Sequence, residues 1–522
     1  MTTTTSTTPA NSASERRRFE SVNPATGDVV GVHAVHEEAD VRAAVARARA
    51  SADWWAGLGF DGRKQVLTQW RGVITRRLAQ LCDLVYQETG KPHGDAQLEC
   101  ALAIDHLAWA GSHAEKVLGR RRVSSGLLLA NQAASVEYLP LGVVGVIGPW
   151  NYPVFTPMGS IGYALAAGNT VIFKPSELTP AVGIWLANSL REVVPNHGVL
   201  QVVTGYGETG AALCRAGVDK IAFTGSTATG KRVMAACAET LTPVIIEAGG
   251  KDALLVDEDA DLEAAAGAAA WGAFANAGQT CVGVERVYVH ERVHDRFVEL
   301  LAERARAVHG GTDVDAKIGP MTMHGQLDVV RRHVADALAR GGRAIVGGTE
   351  AVGDRFVQPT LLVDVPEDSD AVTEETFGPT VTVRKVRDMD EAVELTNGGK
   401  YGLGSAIFTA KRGNDLARRL RTGMTSINSV ISFAGVPSLP FGGVGDSGFG
   451  RIHGPDGLRE FTYAKAVTRT RFKAPLNLTT FDRTPAQDST VATILLALHG
   501  RASQLPELPR RPLERIRGRR PD

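Results

Sequence analysis

The sequence predicts an α/β protein whose parallel sheets are covered by helices on both faces. Its 522 residues exceed what one ordinary core holds, so two or three domains are expected. Short apolar strands alternate with helical segments over residues 143–248, which indicates parallel pairing and right-handed crossovers. The alternation starts again after the turn-rich EAGGKD near residue 250, which predicts a second α/β domain.

The first alternation follows two segments with helical apolar spacing, ADVRAAVARARASADWW and RKQVLTQWRGVITRRLAQLCDLVYQETGK. Its expected strands are GVVGVI, TVIFK, VLQVV, KIAFTG and PVIIEA. Its expected helices are IGYALAAG, AVGIWLANSLREVV, TGAALCRA and TGKRVMAACAE. This order is typical of a doubly wound, Rossmann-like nucleotide-binding domain.

The second alternation contains the expected strands DALLVD, ERVYVH, RAIVGG, PTLLVDV, TVTVRKV, GSAIFTA and TSINS. Its expected helices are LEAAAGAAAWGAFANAG and RFVELLAERARAV. The chain after about residue 474 differs, with one apolar run, TVATILLALHG, before a Pro/Arg-rich end. That run is too short to span a bilayer. A docked terminal helix is the first interpretation, and weak attachment to an anionic lipid surface is the alternative.

The amino-acid composition indicates which binding partners and which cellular location to expect. Lys plus Arg and Asp plus Glu both number 57, so the formal net charge is zero, and neither nucleic acid nor a membrane surface is favoured as a partner. The five cysteines form no CxxC pair, which fits a reducing, cytoplasmic location without a disulfide framework. The polar start lacks the apolar core of a secretory signal. We expect a disordered tail over residues 1–18, with an organelle transit peptide as the alternative.

Two stretches match the dinucleotide-binding pattern GxGxxG. Gly205, Gly207 and Gly210 follow a strand and open a helix, but the acidic residue expected about 20 positions later is missing. The second match, GGVGDSG at residues 442–448, precedes no clear helix and is interpreted as a turn-rich loop. The first match is therefore weak support for nucleotide binding, and the second is a coincidence.

The stretch HERVH matches the HExxH pattern of zinc peptidases. That chemistry needs both histidines on one face of a helix. Here His290 ends an expected strand and His294 falls in the first turn of the next helix. Solvated histidines are favoured over a zinc site, and no metal is expected.

Separated polar and glycine residues follow the apolar strands one by one, each in a turn. In an open α/β sheet, ligands bind at the carboxyl ends of the strands, where these residues fall. They are Asn151, Lys174, Glu177, Gly225, Ser226, Glu247, Cys281, Glu375 and Phe377.

The motifs that carry these residues are PWNYP, KPSE, FTGS, IEAGGK, FANAGQTC and EETFGP. In this order, and over roughly residues 20–472, the chain resembles the aldehyde dehydrogenase superfamily. Ala248 stands where many members have leucine, which should affect packing rather than chemistry. The two termini lie outside the resemblance and inherit nothing from it.

The resemblance implies oxidation of an aldehyde to a carboxylic acid with a nicotinamide cofactor. Cys281 would attack the aldehyde carbon as thiolate. The Asn151 amide and the Cys281 backbone N–H would stabilise the resulting oxyanion, and Glu247 would activate water as general base. The structural alternatives are a turn held by Asn151, a paired charge at Glu247 and a buried apolar role for Cys281.

The resemblance also implies a cofactor site. Glu177, with Lys174, would contact the adenosine ribose, and its carboxylate favours NAD over NADP, with NADP possible. The stretch 225–230 would present a helix N-terminus to the pyrophosphate, although Gly207 and Ser226 could simply serve as turn and cap. The residues expected at the cofactor are Ile147, Pro149, Trp150, Lys174, Glu177, Gly207, Gly225, Ser226, Gly230, Glu375 and Phe377.

The domain division expected from the resemblance assigns residues 19–120 and 141–248 to an NAD(P)-binding domain and 249–455 to a catalytic domain. Residues 121–140 and 456–473 would form a small β oligomerisation arm, so a homodimer or homotetramer is expected. Residues 474–522 are a C-terminal extension without an assigned role.

Three other classes of protein are alternatives to a hydrolytic aldehyde dehydrogenase. A CoA-acylating enzyme has no need of a general base, so Glu247 argues against it. A non-catalytic scaffold is disfavoured by the complete set of catalytic residues, and a zinc peptidase depends on HERVH alone. Within the family, VGVERVYV and RIHGPDGLREFT resemble succinate-semialdehyde-type members. Small residues at Gly159 and Ser160 suggest instead room for a bulky or aromatic aldehyde.

Overall fold

The computed structural model describes residues 17–474, 476 and 479–500. These residues form two compact units. The larger comprises residues up to 119 together with 137–465, and the smaller comprises residues 120–136 and those from 466 onward. Arg17 and Arg18 are described and Arg18 begins the first strand, whereas the rest of the expected N-terminal tail and residues 501–522 lie outside the described residues.

The strands of the described residues are, in chain order, β1 Arg18–Val22, β2 Val29–Ala34, β3 Arg121–Val123, β4 Gln132–Pro140, β5 Val143–Ile147, β6 Thr170–Lys174, β7 Leu200–Val202, β8 Lys220–Gly225, β9 Val244–Ala248, β10 Asp252–Val256, β11 Val284–His290, β12 Arg343–Val346, β13 Thr360–Val363, β14 Thr380–Val386, β15 Ser405–Phe408, β16 Ser426–Ile427, β17 Gly448–Phe449 and β18 Thr462–Thr470.

The α-helices of the described residues are α1 Glu38–Gly57, α2 Gly59–Arg76, α3 Leu78–Thr89, α4 His93–Leu118, α5 Phe155–Ala167, α6 Pro180–Val193, α7 Gly207–Arg215, α8 Thr227–Ala238, α9 Leu262–Phe274, α10 His294–Arg306, α11 Gln326–Ala339, α12 Asp370–Thr373, α13 Met389–Asn397, α14 Gly413–Arg419, α15 Gly454–Glu460 and α16 Pro485–His499.

The first alternation forms a six-stranded sheet with order β17-β9-β8-β5-β6-β7. Its strands are parallel except β17, which pairs antiparallel with β9. Successive side chains point to opposite faces: Val143 packs with α1, α7 and α8, whereas Val144 packs with α4, α5 and α6. The sheet is therefore covered on both faces, and the expected doubly wound arrangement is confirmed.

The second alternation forms a seven-stranded sheet with order β12-β13-β14-β11-β10-β15-β16. Only β12 pairs antiparallel among the neighbouring strands. On one face Leu254 packs with α9 and α10, and on the other Leu255 packs with α13 and α14. The second α/β sheet expected from the sequence is present.

The sequence did not predict several elements of the larger unit. The N-terminal hairpin of β1 and β2 and the 26-residue helix α4 carry no strong periodic signal. The long helical segment expected over residues 63–91 is two helices, because Arg77 leaves helical geometry with φ −110° and ψ 24°. Helix α4 packs against α2, α3 and α5, and through α5 it reaches the six-stranded sheet.

The smaller unit contains β3 and the parts of β4 and β18 that fall within its residues, and these strands have the order β18-β4-β3. Arg121 of β3 lies opposite Val136 of β4 in an antiparallel pair. Helix α16 begins at Pro485 after a capping box formed by Thr484 and Gln487, and none of its 15 described residues is buried. In the part of the chain that the structure describes, no helix combines the length and apolarity that a membrane span requires.

Candidate active site

The turn before Cys281 depends on left-handed backbone. Helix α9 ends at Phe274, and Asn276, Ala277 and Gly278 follow with φ of 53°, 56° and 70°. A Cβ on Gly278 would lie 2.0 Å from the carbonyl oxygen of Gly378, so the loop after residue 377 admits only glycine here. The chain therefore reverses sharply and leaves Cys281 half-buried at a cavity.

Gln279 holds this turn in place through its side-chain amide. Its Nε2 donates to the carbonyl oxygens of Asn276 at 2.9 Å and Pro320 at 3.2 Å. Its Oε1 accepts from the Thr322 N–H at 2.8 Å. Because the side chain is buried and fully bonded, Gln279 fixes the backbone immediately before the thiol.

Asn151 lies in the loop after β5 and contacts the same turn. Its Nδ2 donates to the Gln279 carbonyl oxygen at 2.9 Å, which fixes the direction of the amide. Its own carbonyl oxygen accepts from Lys91 Nζ at 2.6 Å and from Asn276 Nδ2 at 3.1 Å. An amide nitrogen carries two hydrogens, so one remains for a further acceptor.

Lys91 and Glu99 form a buried ion pair behind Asn151 that the sequence did not reveal. Their Nζ and Oε2 atoms lie 2.8 Å apart, and the side chains are 1% and 0% exposed. Glu99 Oε1 also accepts from the N–H groups of Val154 at 2.7 Å and Phe155 at 3.1 Å. The available signal was a glutamate within the apolar run LECALAI, which becomes informative only once α4 is known to be buried.

Glu247 ends in the same cavity as Cys281, next to the carboxyl end of β9. Its carboxylate is buried, and neither oxygen meets hydrogen-bond geometry with any described residue. Burial raises the pKa of Glu247 to about 7, and the nearby Cys281 thiol and Thr224 offset part of that rise. A carboxylate of this kind can take up or release a proton near neutral pH.

The surroundings of Cys281 favour the protonated thiol over the thiolate. Burial, followed by the charges of Glu247 and Glu375, raises the pKa of the thiol well above its ordinary value. Formation of the thiolate therefore needs a nearby proton acceptor. Glu247 lines the cavity together with Asp95 and Glu99, and it is the carboxylate whose charge acts on the thiol most strongly.

Lys174 and Glu177 lie at and after the carboxyl end of β6. Lys174 is buried and donates from Nζ to the Pro175 carbonyl oxygen at 3.0 Å, and burial lowers its pKa. Glu177 Oε2 lies 3.8 Å from Lys174 Nζ, and its side chain is 42% exposed. The carboxylate of Glu177 is thus accessible to a ligand hydroxyl.

The glycine and serine positions divide into two groups. A Cβ on Gly207, at the first turn of α7, would meet none of the described atoms within 4 Å, so this backbone faces open space. Ser226 caps α8 by accepting from the Thr229 N–H at 3.3 Å. Gly225 and Gly230 instead face the interior, where a Cβ would lie 2.8 Å from the Phe223 ring and 3.1 Å from the Ile246 side chain, respectively.

Glu375 and Phe377 lie on the loop that meets the cysteine turn. Glu375 Oε1 accepts from the Gly250 N–H at 3.0 Å, and burial together with Glu285 raises its pKa to about 8. Phe377 has a left-handed φ of 51°, and its ring meets Trp150 edge to face at 5.6 Å and 87°.

The loop that carries Glu375 and Phe377 is held by a second buried ion pair, Lys251 with Glu285, that sequence reasoning missed. The Glu285 carboxylate accepts from the N–H groups of Thr376 at 2.8 Å and Phe377 at 3.0 Å. It thereby fixes the strained backbone at Phe377. Ile147 and Pro149 lie half-buried at and just beyond the carboxyl end of β5, on the same edge of the sheet.

The cavity that contains Cys281 and Glu247, called the cysteine cavity below, is largely apolar. None of its described lining residues is Lys or Arg. Its apolar lining side chains are Leu98, Leu102, Phe155, Trp271, Ala275, Val282, Ile431, Ala434, Phe441 and Ile452. An apolar aldehyde chain or ring matches these walls better than a charged one.

The hypothesis that Gly159 leaves room for a bulky aldehyde is wrong. A Cβ on Gly159 would lie 2.3 Å from His453 Nε2 and 3.2 Å from Ile452 Cδ1, so these two side chains already fill the space. Ser160 is buried in the same helix, α5. The small residue accommodates the protein's own imidazole.

The two histidines of HERVH are separated as expected, but the expectation that they are solvated is wrong: His290 is buried, and the His294 side chain is 12% exposed. His290 is the last residue of β11, and His294 is the first of α10, where its Nδ1 lies 2.7 Å from Asp295. Within the described ranges, no group of three His, Cys, Asp or Glu side chains could hold a metal ion. Gly207 opens α7, whereas the stretch 445–449 forms a 3-10 turn and the short strand β17.

The model of the aldehyde dehydrogenase family matches residues 10–467. A 4,4'-diapolycopene aldehyde oxidase from a Methylomonas species is 37% identical over 458 residues, covering 87% of this chain and 86% of that protein. A Mycobacterium ulcerans protein, provisionally named an NADP(+) succinate-semialdehyde dehydrogenase, is 36% identical over 441 residues, covering 83% and 85%. The crystal structure of an NAD-dependent aldehyde dehydrogenase from Sinorhizobium meliloti is 33% identical, with a TM-score of 0.84, covering 89% and 93%.

Together the two mainly parallel sheets and these similarities define the class of the protein, an α/β oxidoreductase. The chain belongs to the aldehyde dehydrogenase family, and its reaction is the oxidation of an aldehyde with NAD(P) as cofactor. The expected fold class, family, reaction and cofactor class are thereby confirmed.

Proposed function

We propose that Cys281 is the nucleophile, Glu247 the general base and Asn151 the oxyanion donor of a hydrolytic aldehyde dehydrogenase. One observation carries this proposal: the buried Glu247 carboxylate, whose oxygens meet hydrogen-bond geometry with none of the described residues, shares a cavity with the Cys281 thiol. Burying an ionised carboxylate costs free energy, so burial favours the protonated form of Glu247. Carboxyl groups with pKa values perturbed in this way concentrate at functional sites, which supports a role for Glu247 in proton transfer.

The chain's own residues carry out the proton transfers, form the bond to the substrate carbon and bind the oxyanion. Glu247 accepts the thiol proton, and Cys281 Sγ forms a bond to the aldehyde carbon. The negative oxygen accepts from the free amide hydrogen of Asn151 and from the Cys281 N–H. When bound, the nicotinamide supplies the acceptor for the hydride that leaves this carbon. Glu247 then releases the thiol proton to solvent and accepts a proton from a water that adds to the thioester, and the C–S bond breaks to release the acid and the Cys281 thiolate.

The test of these roles separates acylation from hydrolysis. Glu247→Gln should give a burst of NAD(P)H close to one per active site at high pH, where the thiol ionises without it, followed by turnover at least about 100-fold slower. Cys281→Ala should lose both phases. Normal steady-state turnover in Glu247→Gln would overturn the base assignment, and a retained burst in Cys281→Ala would overturn the nucleophile.

The cofactor residues fit a dinucleotide at the carboxyl edge of the six-stranded sheet. Gly207 leaves open space for close approach, α8 offers an N-terminus capped by Ser226, and the Phe377 and Trp150 rings stand beside the cysteine turn. Gly225 and Gly230 would let the loop lie close to the interior side chains beneath it. The remaining residues proposed at this edge are Lys174, Ile147, Pro149 and Glu375.

We assign NAD as the preferred form because the exposed Glu177 carboxylate accepts from a ribose 2′-hydroxyl and repels a 2′-phosphate. Glu177→Ser should therefore raise kcat/KM with NADP relative to NAD by about tenfold. An unchanged ratio would contradict the role of Glu177 and leave the catalytic assignments untouched.

The substrate we propose is a large apolar aldehyde. The apolar walls of the cysteine cavity carry this assignment, and the name of the Methylomonas relative, a 4,4'-diapolycopene aldehyde oxidase, supports it. A second candidate, a succinate-semialdehyde-type activity, is favoured by the Mycobacterium relative. Its second carboxylate would find no cationic side chain among the described lining residues. Steady-state kinetics with octanal, cinnamaldehyde and succinic semialdehyde distinguish the two, and the highest kcat/KM for the semialdehyde would reject our choice.

We further propose that residues 121–140 and 456–473 form an oligomerisation arm, giving a homodimer or homotetramer in the cytoplasm. The antiparallel pairing within the sheet β18-β4-β3 supports such an arm. Residues 19–120 with 141–248, and 249–455, would act as cofactor-binding and catalytic domains. Light scattering of the purified chain should give two or four subunits, and a monomer would contradict the oligomer.

A further inference from the structure

His453 is the least explained polar side chain of the cysteine cavity. It lies between β17 and α15, is 1% exposed, and contributes to the cavity wall with Cys281. Its backbone has φ 63° and ψ 163°, a left-handed conformation that disfavours a side chain with a Cβ. Strain of this kind persists only where the surrounding structure enforces it, and it concentrates at functional sites.

The ring nitrogens of His453 have no hydrogen-bond partner among the described residues. The imidazole is surrounded instead by rings, with His106 at 4.0 Å and Phe155, Phe441 and Tyr163 at 5.5, 5.5 and 5.6 Å between centroids. Burial and the neighbouring His106 lower its pKa well below the ordinary value, so the ring is neutral. A neutral imidazole has one donor and one acceptor, and leaving both unused in a buried place is costly.

The adjacent His106 shows what a structural imidazole looks like in the same environment. Its Nε2 bonds the Ala434 carbonyl oxygen at 3.0 Å, and its Nδ1 lies 3.4 Å from the Tyr163 hydroxyl. His106 is buried and does not belong to the lining of the cysteine cavity. The two neighbouring imidazoles therefore differ: His106 is satisfied by the protein, whereas His453 belongs to the lining of the cysteine cavity and its buried ring nitrogens bond none of the described residues.

Helix α5 has a glycine, Gly159, at the position that faces the His453 ring. Because a Cβ on Gly159 would lie 2.3 Å from Nε2, glycine is required for the ring to occupy its place. An apolar side chain at position 453 would fill the wall without an unused polar group. The combination of a strained backbone, a glycine opposite and an unpartnered ring indicates a polar function.

We propose that His453 is a specificity-determining residue that hydrogen-bonds a hydroxyl or carbonyl group on the distal part of the aldehyde. This inference rests on the proposed function and refines its substrate class: an apolar aldehyde with one neutral polar group remote from the reacting carbon. An anionic remote group is disfavoured because none of the described cavity-lining residues is Lys or Arg, and at His453 a neutral imidazole offers a hydrogen bond rather than a charge.

The test uses matched aldehydes that differ in one hydroxyl. We would measure kcat/KM for octanal against 8-hydroxyoctanal and for cinnamaldehyde against 4-hydroxycinnamaldehyde, with NAD. The wild-type enzyme should prefer the hydroxylated member of at least one pair. His453→Leu should reduce that preference about tenfold, chiefly through KM, because one hydrogen bond to a buried group is lost. His453→Asn, which keeps a donor and an acceptor, should restore part of it.

His106→Leu is the matched control, since it removes a neighbouring, equally buried imidazole. It should lower the thermal midpoint and leave the preference ratio within twofold. If His453→Leu does not fold, His453→Phe keeps the ring and takes its place. The inference is overturned if the wild type shows no preference in either pair, if the His453 variant keeps the ratio, or if the His106 variant loses it equally. Absence of NAD(P)H formation with every aldehyde would instead overturn the proposed function.

Discussion

The side-chain amide of Asn151 donates to the backbone carbonyl of Gln279 across 2.9 Å, between residues 128 positions apart in the chain. This bond joins the loop after β5 of the six-stranded sheet to the turn that presents Cys281. The amide is thus oriented before any substrate arrives, which is the condition under which a donor stabilises a developing oxyanion most effectively.

Replacement of Asn151 should weaken this stabilisation. Asn151→Ala and Asn151→Asp both remove the amide donor, and we expect kcat/KM for an aldehyde to fall about 100- to 1,000-fold in each. Binding of NAD, followed by fluorescence titration, should change little because the cofactor edge is untouched. Activity of either variant within fivefold of the wild type would show that the oxyanion is stabilised elsewhere.

Glu247 should make stability depend on pH. Its pKa is about 7 in the folded protein and 4.5 in its ordinary state, so the folded state favours the protonated carboxyl. The stability it contributes is fully present below pH 4.5 and is lost as the pH rises through 7. Relative to Glu247→Gln, the wild type should lose up to about 3 kcal/mol between pH 5 and pH 8.

Calorimetric scans of wild type and Glu247→Gln over that range measure this difference directly. Glu375, another buried carboxyl with a raised pKa, remains in both proteins; because the Glu247 charge also raises the pKa of Glu375, the measured difference includes this coupling as well as the titration of Glu247 itself. Parallel stability profiles would mean that the Glu247 carboxyl is hydrated in solution and retains its ordinary pKa.

Gly278 and Gly207 should respond in opposite ways to the same added methyl group. Gly278→Ala forces a Cβ to within 2.0 Å of the Gly378 oxygen at φ 70°, and we expect a loss of at least about 2 kcal/mol of stability together with catalysis. Gly207→Ala meets open space, so its thermal midpoint should stay within about 2 °C while KM for NAD rises. Thermal melts and cofactor titrations measure both, and a stable Gly278→Ala would contradict the close approach.

Lys91 acts as a positioning residue because its Nζ holds the Asn151 carbonyl oxygen. Lys91→Met leaves the Glu99 carboxylate buried without its partner, which should cost about 3–5 kcal/mol of stability and lower kcat. The control is Arg343→Met, which breaks an exposed pair with Asp364 and should cost about 0–1 kcal/mol. Chemical denaturation and steady-state kinetics compare the two, and equal losses would remove the special role of the buried pair.

The sequence predicted the two sheets because their strands are continuous apolar runs separated by helices, a pattern that local periodicity captures. It predicted the residues of the candidate site through motifs, each short and contiguous. It did not predict α4, whose apolar and polar residues do not separate into a clear stripe, although α4 supplies Glu99. The expectation of free space beside Gly159 was wrong. A glycine in the sequence shows that something can lie close to the backbone, but it does not show whether this is a substrate or another side chain of the protein.

By itself, the sequence predicted the fold class, the family and the candidate site residues, since these follow from hydrophobic period and from motifs of residues adjacent in the chain. Only the tertiary structure decided which other side chains surround and position these residues. The Lys91–Glu99 pair behind Asn151, the Glu285 carboxylate under Phe377 and the unpartnered imidazole of His453 join segments distant in sequence. The physical reason is that burial sets hydrogen-bond satisfaction and pKa, and burial is a property of the packed molecule rather than of any segment.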